Sequence, residues 1–378
     1  MRYLIDGCYG DTNIGDECLL DSTIRVIRKN DSVASICVLS DDPKETSDKF
    51  KVSSIQQCNP FGTSIYGAVI KSKLWPIIQS IRNCDTFILG GGELFRDDKG
   101  LRATLGMFYR MEIAKYLGKK LLAFGIGMQE PQHWWGKLIL NSALKSHNHI
   151  IFRSIVAQRI ANSQVKQLKN NSFAPDPVFS LDWPELKTVH NDTTRKIHLG
   201  IAVKALNQSH ANYDAACKRL LHVLNLVCQS LASSRTIEFK LLPFSSTDVQ
   251  LSKQLANLLG DLDVKIIEPI ADDLKRSISK LDIMIAVPLH ASVFSFAIGV
   301  PTVGISYDSK VHRLYDSFNC TEHCLSVNDL SKSKLIFTIK KMLLNRPTIS
   351  NHLLQTSKSS KHEFEREALR VLSSQSEI

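Results

Sequence analysis

The sequence has 378 residues, 43% of them hydrophobic and 22% charged, with a formal net charge of +10 and an isoelectric point near 9.1. That length favours two domains over one, and no stretch approaches the ~18 uninterrupted apolar residues of a membrane span. The basic excess suits an anionic substrate or an anionic membrane surface, whereas no zinc finger, RNP signature or basic–aromatic cluster points to nucleic acid.

In chain order, residues 3–5 read as a short strand, followed by a glycine loop and a helix from about 16 to 28. The N-terminus has neither the apolar core nor the cleavage site of a signal peptide. Residues 35–39 form a strand, 41–64 are polar and turn-rich with a short strand at 52–55, and 74–82 are helical. Residues 85–89 are an apolar strand ending in three glycines. A helix over 105–117, a strand over 120–125 and a strand over 149–152 follow. Strands alternating with helices imply parallel sheets built from βαβ units.

Three prolines in APDPVFSLDWP, residues 174–184, cannot continue a helix and mark a domain boundary. The pattern then restarts: a strand over 197–203, a helix over 213–233, a strand over 236–242, a helix over 247–259, a strand over 264–267 and a helix over 272–280. In residues 281–311 a buried strand, 283–287, delivers Pro288, Leu289 and His290 to its end. A small apolar helix follows, closed by Gly299 and Pro301, and a strand over 302–305 stops at Ser306, Tyr307, Asp308 and Lys310. The last forty residues are helical and polar. The expected division is 1–178, 179–345 and a helical tail, 346–378, that packs back on the domains.

Ligands of open α/β sheets sit outside the carboxyl ends of the strands. Four stretches reach such ends. GCYGDTNIGDECLL, residues 7–20, turns tightly between strand and helix, Asn13 and Asp16 can cap the helix, and free amides there attract an anion; the spacing is not the dinucleotide GxGxxG. FILGGGELFRDDKG, residues 87–100, lets a ligand or another backbone approach closely. Arg153 follows a strand and can pair with carboxylate or phosphate. His290, with an ordinary pKa near ~6.5, is suited to moving a proton. The nine cysteines are scattered without a CxxC pair, and read as free thiols of a reducing cytoplasm. No metal-ligand set is evident, Cys320, His323 and Cys324 included.

GCYGDTNIGDECLL, LGGGELFRD, FGIGMQ, FRS, PDPVF and PLHASVFSFAIGVPTVGISYDSKV occur in the order seen in polysaccharide pyruvyl transferases, and the resemblance spans roughly residues 4–320. It implies an α/β, GT-B-like architecture: two Rossmann-like domains facing a cleft, with a crossing C-terminal helix. It also implies transfer of the pyruvyl unit of phosphoenolpyruvate to a sugar of a cell-wall, capsule or exopolysaccharide precursor. His290 would be the general acid/base. Arg153, Lys204, Ser306, Tyr307 and Lys310 would hold the donor, and Gly10, Asn13, Asp16, Gly91, Gly92 and Glu93 would face the acceptor. No cofactor or metal is implied. The partners would be phosphoenolpyruvate or another anionic donor and a free or lipid-linked saccharide, in the cytoplasm or at the inner membrane face. Two positions depart from the family pattern: Pro288 stands for the arginine of Arg-Leu-His, and Lys204 for another arginine. A proline supplies neither charge nor an N–H, and lysine lacks the bidentate fork. Two alternatives are therefore a GT-B glycosyltransferase with a nucleotide-sugar donor and a noncatalytic glycan-binding paralogue.

Overall fold

The computed structural model describes residues 1–61, 67–166, 168–186, 196–205 and 213–374. Residues 62–64 of the expected turn-rich stretch lie outside these. The chain divides into two compact units. The first holds Met1–Asp11, Asp16–Leu181 and the chain from Ser360 onward; the second holds Thr12–Gly15 and Asp182–Ser359.

The first unit is built on strands β1 (Arg2–Asp6), β2 (Ser35–Ser40), β3 (Ser53–Gln56), β4 (Thr86–Leu89), β5 (Gly92–Phe95), β6 (Lys120–Met128), β7 (His149–Phe152) and β8 (Asn171–Phe173), with helices α1 (Ile14–Asn30), α2 (Pro43–Phe50), α3 (Gly67–Asn83), α4 (Leu101–Tyr116), α5 (Trp134–Ser146) and α6 (Ile155–Gln164). The strands lie in the order β3-β2-β1-β4-β6-β7-β8, with β5 against β6, and those pairings are parallel. Successive side chains of a strand point to opposite faces. Leu4, Phe87 and Leu89 accordingly enter one apolar cluster, and Tyr3, Ile5 and Ile88 another. A sheet covered on both faces needs apolar strands throughout, and every residue of β4 is buried.

The second unit repeats the plan with β9 (Ile197–Ala202), β10 (Ile237–Leu241), β11 (Val264–Ile266), β12 (Ile283–Ala286), β13 (Thr302–Ser306) and β14 (Cys324–Ser326), and with helices α7 (Tyr213–Ala232), α8 (Ser246–Leu259), α9 (Ala271–Ile278), α10 (Leu289–Ile298), α11 (Ser309–Ser317), α12 (Lys332–Leu344) and α13 (Arg346–Ser373). The order is β11-β10-β9-β12-β13-β14, all parallel. Leu199, Ile201, Ile283, Ile285, Val303 and Ile305 fill the core on one face. The other face carries small residues so that neighbours approach closely. A Cβ at Gly304 would stand 2.6 Å from the Tyr315 ring, and one at Gly200 2.4 Å from Leu281.

Residues of α13 serve both units. Ser357 Oγ donates to the Phe296 carbonyl at 2.9 Å in the second. Phe364, Ala368, Val371 and Leu372 enter the apolar cluster around Tyr3 and Ile5 in the first. Burying Phe364 fully contributes roughly 1.5–3 kcal/mol.

Two local readings change. The polar stretch after β2 holds α2, started by Pro43 and by the Asp42 carboxylate accepting from the Glu45 amide at 2.9 Å, a capping arrangement. The glycine triplet opens into β5, whose Gly92 and Phe95 pair with Ile126 and Met128 of β6.

Candidate functional site

Each sheet has a point where the strand order reverses, and ligands of doubly wound folds bind outside the carboxyl ends of the strands there. In the first unit that point lies between β1 and β4. The two glycine motifs leave these strands side by side.

Much of their glycine content accommodates protein groups. Tyr9 is fully buried. A Cβ on Gly90 would stand 1.6 Å from its hydroxyl, and one on Gly7 2.7 Å from its ring; a Cβ on Gly91 would meet Leu19 at 2.9 Å. Gly10 has φ +76°, and its N–H donates to Glu17 Oε1 at 2.9 Å, while Lys49 donates to Glu17 Oε2 at 3.0 Å. The amides expected to be free for an anion are thus engaged at Gly10. Gly15 N–H likewise donates to Asn13 Oδ1 at 3.1 Å, which caps α1, and Ile14 N–H to the Phe244 carbonyl at 3.0 Å.

Asp16, Glu93 and Arg96 are among the polar groups near the first-unit switch point. Asp16 Oδ1 lies 3.9 Å from where a Gly92 Cβ would be. Burial, and then the Asp16 charge, push the Cys8 thiol up to about 12, so Cys8 is a neutral thiol and not a nucleophile. Glu93 pairs with Arg96 at 3.6 Å, and Arg96 also holds Asp98. Asp6, at the end of β1, forms a buried ion pair with Arg110 of α4 at 2.7 Å. Burial disfavours the Arg110 charge, but the Asp6 carboxylate outweighs it and the pKa lies above its ordinary value.

Arg153, expected on the donor side with four residues of the second unit, belongs to the first unit. Its guanidinium lies against Gly127, 3.3 Å from where a Cβ would be, and pairs with Asp176 at 3.4 Å. Asp176 also accepts from the Val178 amide at 3.0 Å, so the acidic residue between two prolines orders the turn at the end of the unit.

In the second unit the order reverses between β9 and β12, where Ala202 pairs with Ala286. Lys204 and Pro288 each stand two residues beyond that pair. Lys204 lies near Asp248, a buried carboxyl at the start of α8. Burial raises the Asp248 pKa; the hydroxyl of Ser245, the Lys204 charge and backbone bonds from Phe244 and Ala205 oppose that rise. Asp248 escaped the sequence reading, although Ser245-x-x-Asp248 is a capping pattern that locates it in a first helical turn.

Pro288 is the N-cap of α10, and His290 is the second residue of that helix, one turn beyond the strand end expected for it. α10 also places Phe294 one turn below His290, where its ring meets Phe244 at 5.1 Å and Trp183 at 4.7 Å, both edge to face. Such pairs add roughly 0.5–1.5 kcal/mol beyond the area they bury. The segment Thr12–Gly15 packs on the same surface. Thr12 Oγ1 bonds Ser246 Oγ at 2.7 Å, and a Cβ on Gly15 would stand 1.8 Å from His290 Nδ1.

Beyond β13, Ser306 Oγ donates to the Asp308 carbonyl at 2.9 Å. Asp308 caps α11 through the Lys310 amide at 3.3 Å. The Lys310 ammonium stands 3.5 Å from Asp308 and 5.7 Å over the Tyr307 ring. Tyr307 packs on the core, and its buried hydroxyl has no hydrogen-bond partner among the described residues. Lys204, His290 and the 306–310 turn therefore leave three consecutive strands of one sheet, β9, β12 and β13. Among the described residues no group of three or more His, Cys, Asp or Glu side chains is placed to hold a metal ion, and no helix is long and apolar enough to cross a membrane.

The sequence model of the polysaccharide pyruvyl transferase family matches residues 13–309. The chain belongs to this family. No curated protein matches it. Solved structures share the architecture of this pyruvyl transferase family member at low identity. A UDP-GlcNAc 2-epimerase from Neisseria meningitidis bound to UDP-GlcNAc has a TM-score of 0.64 at 10% identity, covering 99% of this chain and 100% of its own. Anabaena Alr3699/HepE in complex with UDP and glucose gives 0.62 at 11%, covering 99% of each chain. Acinetobacter baumannii MurG gives 0.57 at 11%, covering 99% and 100%. These likenesses show the fold, an α/β, two-domain, GT-B-like one, as expected from the sequence.

Proposed function

We propose that this family member transfers the pyruvyl unit of phosphoenolpyruvate to two hydroxyls of a sugar in a surface-polysaccharide precursor, in the cytoplasm, with a free or lipid-linked acceptor. The observation that carries this reading is the placement of Lys204 and His290 just beyond the carboxyl ends of the two strands flanking the second-unit switch point. The donor phosphate and carboxylate lie against Lys204 and the 306–310 turn, where Lys310 and the start of α11 favour an anion. Tyr307 lines that turn from below. The acceptor lies against the first unit, near Asp16, Glu93 and the turns at Gly10 and Gly91–Gly92, with Asn13 shaping the start of α1. Arg153 is a first-unit cation of that side.

In the reaction, C3 of the enol accepts a proton and C2 becomes electrophilic. A sugar hydroxyl adds to C2 and loses its proton. A second hydroxyl then displaces the phosphate from C2, which closes the ketal and releases inorganic phosphate. His290 serves as the group that gives the proton to C3 and takes one from an attacking hydroxyl, a role worth about 10²–10⁴-fold. The test is phosphate release from phosphoenolpyruvate in the presence of free and lipid-linked saccharides. Acceptor-dependent release by the wild type, lost in His290→Ala, supports the reading; undiminished release by His290→Ala removes His290 from the chemistry.

Pro288 favours a second reading. It places no charge where the family pattern has arginine, and the amides at the start of α10 suit a nucleotide diphosphate as well. The neighbours bound to UDP or UDP-GlcNAc fit that donor. Sugar transfer from a UDP-sugar, with phosphoenolpyruvate inert, would establish the glycosyltransferase alternative.

A further inference from the structure

The first unit has a polar pocket at the opposite ends of its strands from the glycine motifs. Its volume is about 480 Å³, within the range of small-molecule sites. It is formed where β6, β7 and β8 begin, at Lys119, Lys120, Asn148, His149 and Asn170, and is closed by Arg370 of α13. These three strands are neighbours in the sheet.

The pocket is cationic. Lys119, Lys120 and Arg370 line it, and Glu367 accepts both Arg370 donors at 2.6 and 3.0 Å. Lys119 donates to the Arg82 and Cys84 carbonyls at 2.6 and 2.9 Å, which fixes it at the rim. Asn148 Oδ1 accepts from the Leu121 amide at 2.7 Å, and this orientation presents the Asn148 Nδ2 donor. His149 Nε2 lies 2.9 Å from Ser172 Oγ and 3.8 Å from Glu367. Its pKa is lowered by burial, then by the Arg370 charge, against Glu367, with Lys120 adding to the fall. Burial also lowers the Lys120 pKa. For His149, two neighbouring cations thus stand against one carboxylate.

We propose that this pocket binds a small phosphomonoester, its phosphate held by Lys120, Arg370 and the Asn148 amide beside His149. Lys–phosphate and Arg–phosphate contacts are charge-assisted and strong. Among the described residues no Phe, Tyr or Trp lines the walls, so a polar group such as a sugar fits better than a nucleobase. None of these residues takes part in the proposed transfer, so the site stands independently of that reading.

The test follows the His149 imidazole by NMR, assigned through His149→Gln, with inorganic phosphate and glucose 6-phosphate as probes and chloride at matched ionic strength as control. A bound dianion favours the imidazolium, so the His149 pKa rises in phosphate and in glucose 6-phosphate but not in chloride. Lys120→Ala and Arg370→Ala each weaken that effect by about ten-fold. Unchanged His149 titration in phosphate, or a response unaltered in both variants, overturns the site. A response to phosphatidylglycerol vesicles without one to glucose 6-phosphate overturns the soluble ligand in favour of a lipid headgroup.

Discussion

The backbone of Gly15 lies so close to the imidazole of His290 that a Cβ on residue 15 would stand 1.8 Å from Nδ1. Gly15 is helical, and alanine is intrinsically better than glycine within a helix by roughly 0.5–1 kcal/mol. Gly15→Ala is nevertheless expected to destabilise by about 1–3 kcal/mol, because the ring must move off its rotamer, and to lose transfer activity along with His290. Removing the ring in Gly15→Ala/His290→Ala restores stability but not activity. Denaturant titration of the four proteins of this cycle gives the coupling; a stabilised Gly15→Ala would show that the contact is slack.

Arg153 and Lys204 separate two kinds of cation. Lys204 stands two residues beyond the β9–β12 pair, whereas Arg153 pairs with Asp176 in the first unit. Lys204→Ala is expected to raise KM for phosphoenolpyruvate by about ten-fold or more, with a smaller change in thermal stability. Arg153→Ala is expected to lower stability by about 1–3 kcal/mol through the stranded Asp176, with KM for phosphoenolpyruvate little changed. Steady-state kinetics with the donor varied distinguish them, and the reverse pattern would place the donor against Arg153.

Arg110→Ala leaves the Asp6 carboxylate buried and unpaired. The expected loss is about 3–5 kcal/mol, whereas Asp6→Leu/Arg110→Met, which removes both charges, costs far less. Urea unfolding measures both. Similar losses in the two variants would mean that the site tolerates an unpaired carboxylate.

Acid sensitivity follows from His147. Burial lowers its pKa to about 4 from the ordinary 6.5, while its Nδ1 bonds the Ala143 carbonyl at 2.7 Å. The unfolded chain takes up this proton first as pH falls. Stability from His147 is therefore complete above pH 6.5 and is lost progressively down to pH 4, by about 3 kcal/mol in all. His147→Leu is expected to flatten the stability profile in that window by one proton. An unaltered slope would mean that the imidazole protonates within the fold.

Much of this architecture was legible because buried parallel strands read as apolar runs: residues 85–89 and 283–287 sit close to β4 and β12. Elements with weaker patterns were not. α2 is short and polar, and β5 hides behind a glycine triplet whose turn character dominates locally. The glycines at these strand ends serve a partly different purpose from the one their spacing suggested, since Gly7 and Gly90 make room for Tyr9 and Gly15 for His290. Such contacts join residues far apart in sequence, and no local pattern announces which side chain a glycine accommodates. Asp6 and Arg110 were missed on the same ground: each looks ordinary until the fold brings them 2.7 Å apart.

The central claim is that the second-unit switch point, with Lys204 in place, holds phosphoenolpyruvate. Thermal unfolding of wild type and Lys204→Ala, each with phosphoenolpyruvate or with UDP-GlcNAc, tests it most directly. Ligands that bind only the folded state raise its melting temperature. The account predicts a rise with phosphoenolpyruvate in the wild type, a much smaller one in Lys204→Ala, and none with UDP-GlcNAc. A rise with UDP-GlcNAc alone, or an equal response of both proteins to phosphoenolpyruvate, would contradict it.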